Sequence, residues 1–351
     1  MKTWDAIVVG AGIIGLSLAI ELNKRGLHVL VVEKGEPGRE ASWAAGGMLA
    51  DFPLEMPPAL ATLARASAGM YPEFVRELED ESRAKIDLRS LGTLLFQEGG
   101  AGADDSLPRP LAELEPALSA EGLAEMSPTL LQERSVDPHD LTTAAIAAAK
   151  HRGIDFSSGD RVLAVEVAGG RATGVRTNKT QFAAGIVVNC AGAWAGGIGP
   201  YSFPTRPVKG QMLCVVMPEK EMIRHVVRSP RVYLIPRSDG RMLIGATQEE
   251  AGFDKQTVPE TIRALHRAAI EIAPKIGEAR ILEAWAGLRP GTPDALPILG
   301  ATATSGYFVA TGHFRDGILL APVTARVMGQ AITGERASFD LRAFAPARFS
   351  I

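Results

Sequence analysis

Cysteine, excess charge of either sign and long hydrophobic runs are all scarce in this chain of 351 residues. Only Cys190 and Cys214 are present, so a disulfide framework is excluded and a reducing compartment, the cytoplasm, is expected. The 37 basic and 40 acidic residues argue against general attraction to nucleic acid or an acidic membrane. The apolar run at residues 6–20 is interrupted by three glycines and is shorter than the ~20 residues of a membrane span. Any partner must therefore be recognised by a local site, without stable membrane insertion.

Metal-binding patterns are missing as well. The six histidines show no H-x-x-x-H spacing and no Cys-x-x-Cys occurs, so metal catalysis is not expected. Glycine (37 residues) and proline (23) are in surplus, because together they make about 17% of the chain against roughly 12% in ordinary proteins. This surplus indicates tight turns and close approaches of the backbone. The length favours two domains and a core large enough to enclose a cofactor.

The first 33 residues predict a β-α-β unit. Continuous apolar runs at residues 5–9 and 28–32 are typical of strands buried on both faces of a parallel sheet. Between them, apolar residues recur at helical spacing from Ile13 onward. This order places a glycine-rich turn between the first strand and the helix.

That turn predicts a site for the pyrophosphate of a dinucleotide. Gly10, Gly12 and Gly15 match the pattern G-x-G-x-x-G, in which the glycines allow a tight turn, close approach of phosphate and close helix packing. The amino end of the following helix favours negative charge. Glu33, at the end of the second strand, stands where a carboxylate accepts hydrogen bonds from ribose hydroxyls. These residues leave open which dinucleotide is bound.

The remaining pattern predicts a second layer of different character. Residues 204–246 favour antiparallel strands, with a hairpin turn at residues 238–240, and Thr257 with Glu260 has the spacing of a helix capping box. Further helices are predicted at residues 57–82, 142–151 and 317–332, and further strands at residues 161–167, 186–190 and 307–310. The fold class is therefore α/β with α+β elements: a Rossmann-like domain and an antiparallel-sheet domain.

Three longer segments carry a family resemblance. Residues 39–50 read REASWAAGGMLA, residues 285–294 read WAGLRPGTPD and residues 312–322 read GHFRDGILLAP. Together with the glycine turn, they resemble the FAD-dependent D-amino-acid oxidase family, most closely its glycine-oxidising branch, which is linked to thiamine biosynthesis. The resemblance implies a discontinuous FAD-binding domain of residues 1–85, 141–205 and 286–351. Residues 86–140 and 206–285 would form the substrate domain.

The resemblance also implies a set of contacts to noncovalent FAD, since no cysteine lies near Arg289 in the sequence, where covalently flavinylated relatives differ. The implied cofactor residues are Gly10, Gly12, Ile13, Ile14, Gly15, Glu33, Lys34, Ala41, Ser42, Gly46, Gly47, Met48, Val162, Gly192, His313, Phe314, Arg315, Asp316, Gly317, Ile318 and Leu319. Among them, residues 313–319 are expected to run under the flavin into a helix, whose amino end stabilises negative charge on it.

Substrate recognition is expected to rest on Arg289, Tyr233 and Arg315, because a guanidinium binds a carboxylate bidentately and a phenol adds a third directional hydrogen bond. No side chain is expected to act as the catalytic base. Two positions depart from the glycine-oxidising branch: Asp316 stands where asparagine is usual, and Arg231 stands where histidine is frequent.

The implied reaction is oxidative deamination of glycine and other small amino acids or secondary amines, such as sarcosine, D-alanine and D-proline. Hydride would pass from Cα to FAD, dioxygen would become hydrogen peroxide, and the imine would hydrolyse to an oxo acid and ammonia. One alternative is a dehydrogenase that passes electrons to a quinone or partner protein, of the cyanide-forming glycine dehydrogenase type. Another is a non-catalytic or RNA-modification FAD protein. A homo-oligomer, dimer or tetramer, is implied by the resemblance alone.

Overall fold

The computed structural model describes residues 3–52, 56–98 and 107–349. Its helices are α1 (Ile13–Lys24), α2 (Pro58–Ser82), α3 (Leu111–Leu114), α4 (Pro138–His151), α5 (Pro259–Ile272) and α6 (Gly317–Thr333). Its strands are β1 (Ala6–Val9), β2 (Val29–Glu33), β3 (Met48–Leu49), β4 (Leu88–Arg89), β5 (Thr93–Glu98), β6 (Met126–Leu131), β7 (Arg134–Val136), β8 (Asp155–Ser158), β9 (Val162–Ala168), β10 (Arg171–Thr177), β11 (Gln181–Ala183), β12 (Ile186–Asn189), β13 (Arg206–Val216), β14 (Val226–Arg228), β15 (Tyr233–Pro236), β16 (Arg241–Gly245), β17 (Arg280–Gly291), β18 (Ile298–Ala301) and β19 (Tyr307–Thr311).

A six-stranded sheet in the order β18-β19-β12-β1-β2-β8 lies at the centre of one half of the fold. We call this sheet, with the elements packed on its two faces, the first layer system. All of its strand pairs are parallel except β18 with β19. In β1, Ala6 and Val8 pack into a core with α1, α2, α4 and α6, whereas Ile7 and Val9 pack against the sheet β11-β10-β9 on the opposite face. The predicted β-α-β unit, buried on both faces, is therefore confirmed.

A seven-stranded sheet in the order β17-β13-β16-β15-β14-β5-β6 forms the second layer system. Its pairs are antiparallel apart from β14 with β5. Leu265, Ala269 and Ile272 of α5 pack against one of its faces. The long strand β17 pairs with β13 over its length and contains the predicted domain boundary between residues 285 and 286. The domain division itself stays a prediction.

Two helix beginnings differ from the sequence expectation. The capping box at Thr257 is wrong: α5 begins one residue later than that box requires, with Val258 as its N-cap and no capping side chain. Helix α4 begins at Pro138, four residues before the predicted start, because the Asp137 carboxylate accepts a hydrogen bond from the His139 amide at 2.8 Å. Within the described ranges, no helix is both long and apolar enough to cross a bilayer.

Candidate active site

A cleft of about 680 Å³ lies between the two layer systems. One wall is formed where β1, β2, β12 and β19 end, the edge at which open parallel sheets bind ligands. The other wall is the face of the second sheet, which contributes Gly210 and Met212 of β13, Tyr233 of β15 and Arg289 of β17. The cleft therefore joins the predicted dinucleotide site to the predicted substrate residues in one continuous space.

The glycine turn is held in shape by Glu33. One of its carboxylate oxygens accepts a hydrogen bond from the Ala11 amide at 2.8 Å, and the other accepts one from the Gly35 amide at 3.0 Å. Gly10 has a φ of +104°, and a Cβ there would lie 2.6 Å from the carbonyl oxygen of Cys190. Only glycine fits this turn. Glu33 thus shapes the loop in addition to lining the cleft.

The amino end of α1 fits the pyrophosphate of FAD. Gly12 is the N-cap of this helix, and a Cβ there would meet only the Oγ of Ser42, at 3.2 Å, so a ligand can approach the backbone closely. The Ser42 hydroxyl accepts a hydrogen bond from the Ile13 amide at 2.9 Å. Helix α1 carries no acidic residue in its first turn, which leaves its positive amino end available to an anion.

Four side chains fix the small-residue segment 41–48, which runs along the cleft: one lies just before the segment, and three come from distant parts of the chain. His139 stacks on Trp43 with ring centroids 3.6 Å apart, and its Nε2 donates a hydrogen bond to the Trp43 carbonyl oxygen at 2.9 Å. Arg39 lies 3.8 Å above the other ring face. The Trp285 indole donates to the Ala44 carbonyl at 3.2 Å, and the fully buried Arg237 donates to the Gly46 carbonyl at 2.7 Å. Sequence reasoning found the segment but missed these anchors.

Most of the predicted site residues line the cleft. Those that do are Gly10, Gly12, Ile13, Ile14, Glu33, Lys34, Ala41, Ser42, Gly46, Gly47, Met48, Val162, Gly192, Tyr233, Arg289, His313, Phe314, Arg315, Gly317 and Ile318. Three lie elsewhere. Gly15 packs against the carbonyl oxygen of Gly10, Leu319 is buried in the helical core, and Asp316 lies behind Arg315 at the amino end of α6.

Arg289 is the side chain best suited to bind an anion in this cleft. Its Nη1 donates to the carbonyl oxygen of Thr247 at 3.0 Å, and its guanidinium lies so close to Gly210 that a Cβ there would collide with it. Across the described part of the chain, no carboxylate pairs with it. A half-buried cation without an anionic partner is stabilised by an anionic ligand.

Tyr233 lies beside Arg289. Burial raises the pKa of its phenol above the ordinary value, and Arg289 and Arg315 oppose that shift only in part. The hydroxyl is therefore neutral at physiological pH and able to donate a hydrogen bond. A Cβ at Gly245 would lie 2.8 Å from the Tyr233 Oη. The glycine therefore leaves room for the phenol.

His313 is the histidine that lines the cleft among the described residues, and its ring is buried. Burial lowers its pKa to about 3, and its Nε2 lies 3.1 Å from the hydroxyl of Thr324 in α6. It is therefore neutral throughout the physiological range. Cys190 also lines the cleft, but burial raises the pKa of its thiol, which disfavours the thiolate needed for covalent attachment. Noncovalent binding of the cofactor stays a prediction.

Asp316 belongs to a group of charges beneath the cleft. Burial raises the pKa of Asp316 to about 6, although Arg315 and Arg228 oppose the shift. Arg228 in turn forms a buried ion pair with Glu133 at 2.9 Å. Arg231 is the second position that departs from the resembled branch. It lines the cleft, and its Nη1 forms an ion pair with the Glu271 carboxylate at 2.5 Å.

The Asp316 carboxylate should make stability depend on pH in a particular direction. Because its folded pKa lies above the unfolded value of 3.8, ionisation is disfavoured in the folded state, so stability falls as pH rises from about 4 to 6. Asp316→Asn should raise the free energy of unfolding above pH 6 by on the order of 2 kcal/mol, with no gain below about pH 4. Urea unfolding of the cofactor-free protein from pH 4 to 8 measures this difference.

Asp294 provides the control of opposite sign. Its pKa is lowered, despite an opposing effect of burial, by hydrogen bonds that include one from Arg348, so Asp294→Asn should reduce stability at neutral pH and be neutral in acid. Glu133 has a pKa raised to about 7 by burial and titrates in all three proteins, so it cancels in the differences. A flat difference profile for Asp316→Asn would show that its carboxyl is not the group that titrates.

Comparison with known proteins decides the family. The family model described as FAD dependent oxidoreductase (DAO) matches residues 5–331. The chain belongs to this family. It is 33% identical to the glycine oxidase of Pseudomonas aeruginosa, over 97% of this chain and 98% of that one. The crystal structure of glycine oxidase from Geobacillus kaustophilus superposes with a TM-score of 0.91 at 29% identity, covering 99% of both chains.

Two further relatives have different names. The chain is 33% identical to the bifunctional protein ThiO/ThiG of Synechocystis, over 99% of this chain but only 54% of that protein. It therefore spans about half the length of this relative. It is also 31% identical to the hydrogen cyanide synthase subunit HcnC of Pseudomonas aeruginosa, over 99% of this chain and 97% of that one.

These findings confirm the predicted α/β fold class, the FAD cofactor and the enzyme class, an FAD-dependent amino-acid oxidase of the glycine oxidase type. The glycine turn and the amino end of α1 fit that cofactor. The residue roles within the cleft, the substrate and the homo-oligomer stay predictions.

Proposed function

We propose that this member of the family catalyses oxidative deamination of glycine and other small amino acids or secondary amines, including sarcosine, D-alanine and D-proline. The observation that carries the proposal is Arg289, a half-buried guanidinium that faces the cleft beside a neutral phenol and has no acidic partner among the described residues. A carboxylate satisfies this pair of donors, and an amine on the adjacent carbon would make that carbon a hydride donor to the flavin expected in the same cleft.

When bound, FAD supplies the acceptor for hydride from Cα and passes the electron pair to dioxygen, giving hydrogen peroxide. The chain supplies orientation. Arg289 would hold the carboxylate, Tyr233 would donate a third hydrogen bond to it, and Arg315 at the amino end of α6 would add positive charge. The neutral His313 takes no proton, so the substrate enters with its amine unprotonated. The released imine adds water and yields glyoxylate, or another oxo acid, and ammonia.

A dehydrogenase is the second candidate, because the HcnC likeness covers nearly the whole of both chains. The two candidates differ in the electron acceptor. Turnover of glycine in air, followed by oxygen consumption and peroxide formation in equal amounts, supports the oxidase. Glycine-dependent reduction of a dye acceptor without peroxide would establish the dehydrogenase. If no amino acid or secondary amine supports either reaction, the result favours the alternative of a non-catalytic or RNA-modification FAD protein.

Tyr233→Phe tests the role of the phenol. It removes one hydrogen bond of about 0.5–1.5 kcal/mol and leaves the ring packed beneath Gly46 and Gly245, so kcat/KM for glycine should fall about 3- to 10-fold, mainly through KM. Steady-state kinetics at saturating FAD measure the change. An unaltered kcat/KM would remove Tyr233 from the substrate site and leave it a packing residue of β15.

A further inference from the structure

The connection between β16 and α5 leaves the second sheet, touches residues of the first layer system, and returns to the helix that packs on the second sheet. We call its residues 251–257 the strap. Asp254, in the middle of the strap, fixes it to the second sheet. Its carboxylate pairs with the buried ammonium of Lys209 at 2.8 Å and accepts a hydrogen bond from the Gln256 amide at 3.0 Å. The whole connection is longer than the common 2–6 residues, and such loops usually bind a ligand or cover a site.

Two side chains of the strap touch the wall of the cleft. The Phe253 ring packs on Trp194 with centroids 5.2 Å apart, and the Lys255 ammonium lies 3.1 Å from the Glu40 carboxylate. On the cleft side, Lys34 joins both contacts: its ammonium lies 3.1 Å from the Trp194 ring centroid and 3.0 Å from Glu40. These five residues form a closed ring of contacts between the strap and the cofactor wall.

The cleft residues of this ring lie at the end assigned to adenosine. Lys34, Glu40 and Trp194 all line the cleft, and Lys34 directly follows Glu33 of the dinucleotide motif. Arg289 and Tyr233 belong to the other wall, so the ring does not include the substrate residues. A ligand in the adenosine end therefore lies beside the strap.

Fold stability does not explain the strap contacts. Phe253 remains 53% exposed, although a large apolar side chain is normally buried, and Lys255 and Glu40 form a solvent-accessible ion pair that contributes little to stability. A function for these contacts follows if they hold the strap in place beside a bound ligand. The adenosine end is where the family's cofactor is expected.

We propose that the strap closes the adenosine end of the FAD site and that Phe253 and Lys255 retain the bound cofactor. Release of FAD would then require the aromatic contact and the ion pair to break together. The strap would slow dissociation without altering the substrate end. No sequence motif marks these two residues, because each acts through a contact with a wall residue that is distant in the chain.

The test measures FAD itself and needs no substrate. Phe253→Ala with Lys255→Ala should raise the FAD dissociation rate and Kd about tenfold together, because an aromatic pair and an exposed ion pair are lost. Release is followed by the rise in flavin fluorescence when holoenzyme is diluted. The melting temperature of the cofactor-free variant should match that of the parent protein. The separate variant Phe253→Tyr keeps both the ring contact and Lys255, so it should release FAD as slowly as the parent protein.

Leu91→Ala with Lys275→Ala is the matched control. Leu91 is 49% exposed and Lys275 pairs with Glu278, and neither residue lines the cleft, so FAD release should be unchanged. Parent-like release from the strap double variant would overturn the proposal. A lower kcat at saturating FAD without faster release would also overturn it and place the strap on the substrate side. The release measurement does not depend on which amino acid is oxidised, so it holds even if the proposed reaction fails.

Discussion

Arg289→Ala should raise the KM for glycine by about 10²- to 10⁴-fold while the protein still purifies with FAD. The variant loses two charge-assisted hydrogen bonds to the substrate carboxylate, and each is worth about 1.5–3 kcal/mol. The guanidinium is oriented by the Thr247 carbonyl and by the bare surface of Gly210, so its position does not depend on the cofactor wall. Steady-state kinetics and the visible flavin spectrum together measure the result.

Two variants control this expectation. Arg289→Lys keeps the charge but loses the bidentate fork, so its KM should lie between those of the parent and the alanine variant. Arg280→Ala removes an exposed arginine at the opposite end of the same strand, β17, and should leave the kinetics unchanged. If Arg289→Ala turned over glycine with a parent-like KM, the carboxylate would be bound elsewhere, with Arg315 at the amino end of α6 as the other proposed cation.

Gly12→Val should weaken FAD binding at least about 100-fold and leave the cofactor-free fold intact. Valine adopts the φ of −74° and ψ of 174° found at this N-cap without strain, so the backbone tolerates it. Its methyl groups would occupy the space between the amino end of α1 and Ser42, where the pyrophosphate must approach. Titration of the cofactor-free protein with FAD, and its thermal melt, separate the two effects.

Gly185→Val is the matched control, because Gly185 also lacks a positive φ and has open space around its missing Cβ. That variant should bind FAD like the parent. Parent-like FAD affinity in Gly12→Val would show that the pyrophosphate does not reach the amino end of α1. Loss of the cofactor-free fold in Gly12→Val, with Gly185→Val folded, would instead make Gly12 a packing position.

The dinucleotide half of the site could be predicted from the sequence because the residues that form it are close together in the chain. A strand, three glycines, a helix and Glu33 lie within 33 residues, and each has a conformational or hydrogen-bonding reason to occupy its position. Gly15 shows the limit of the pattern: it belongs to the motif but packs against the Gly10 carbonyl instead of facing the cleft. Motif membership therefore does not establish ligand contact.

The anchors of the site were not accessible from the sequence. Arg237 and Trp285 reach the segment 41–48 from strands far away in the chain, and no periodicity records such contacts. The capping box at Thr257 fails for a related reason, since tertiary contacts of the strap and Pro259 determine where α5 begins. Arg289 could be named from a resemblance, but its lack of an acidic partner emerges only from the fold.

The nearly balanced charge of the chain is consistent with this arrangement. A net charge of −3 offers no general attraction for a small anionic substrate, so recognition is left to a few placed cations. Arg289 is a cleft-lining cation that has no acidic partner among the described residues, whereas Arg228 and Arg231 already face Glu133 and Glu271. A monocarboxylate therefore suits the charge of the cleft.

Anaerobic mixing of the FAD-loaded protein with a fixed concentration of each of glycine, sarcosine, D-alanine and D-proline tests the central claim most directly. At least glycine should bleach the visible flavin absorbance, and admission of air should restore it with formation of hydrogen peroxide. Arg289→Ala should slow the bleaching at the same concentration. Flavin that stays oxidised with every amino acid and secondary amine would contradict the proposed reaction, while leaving the FAD fold and the strap untouched.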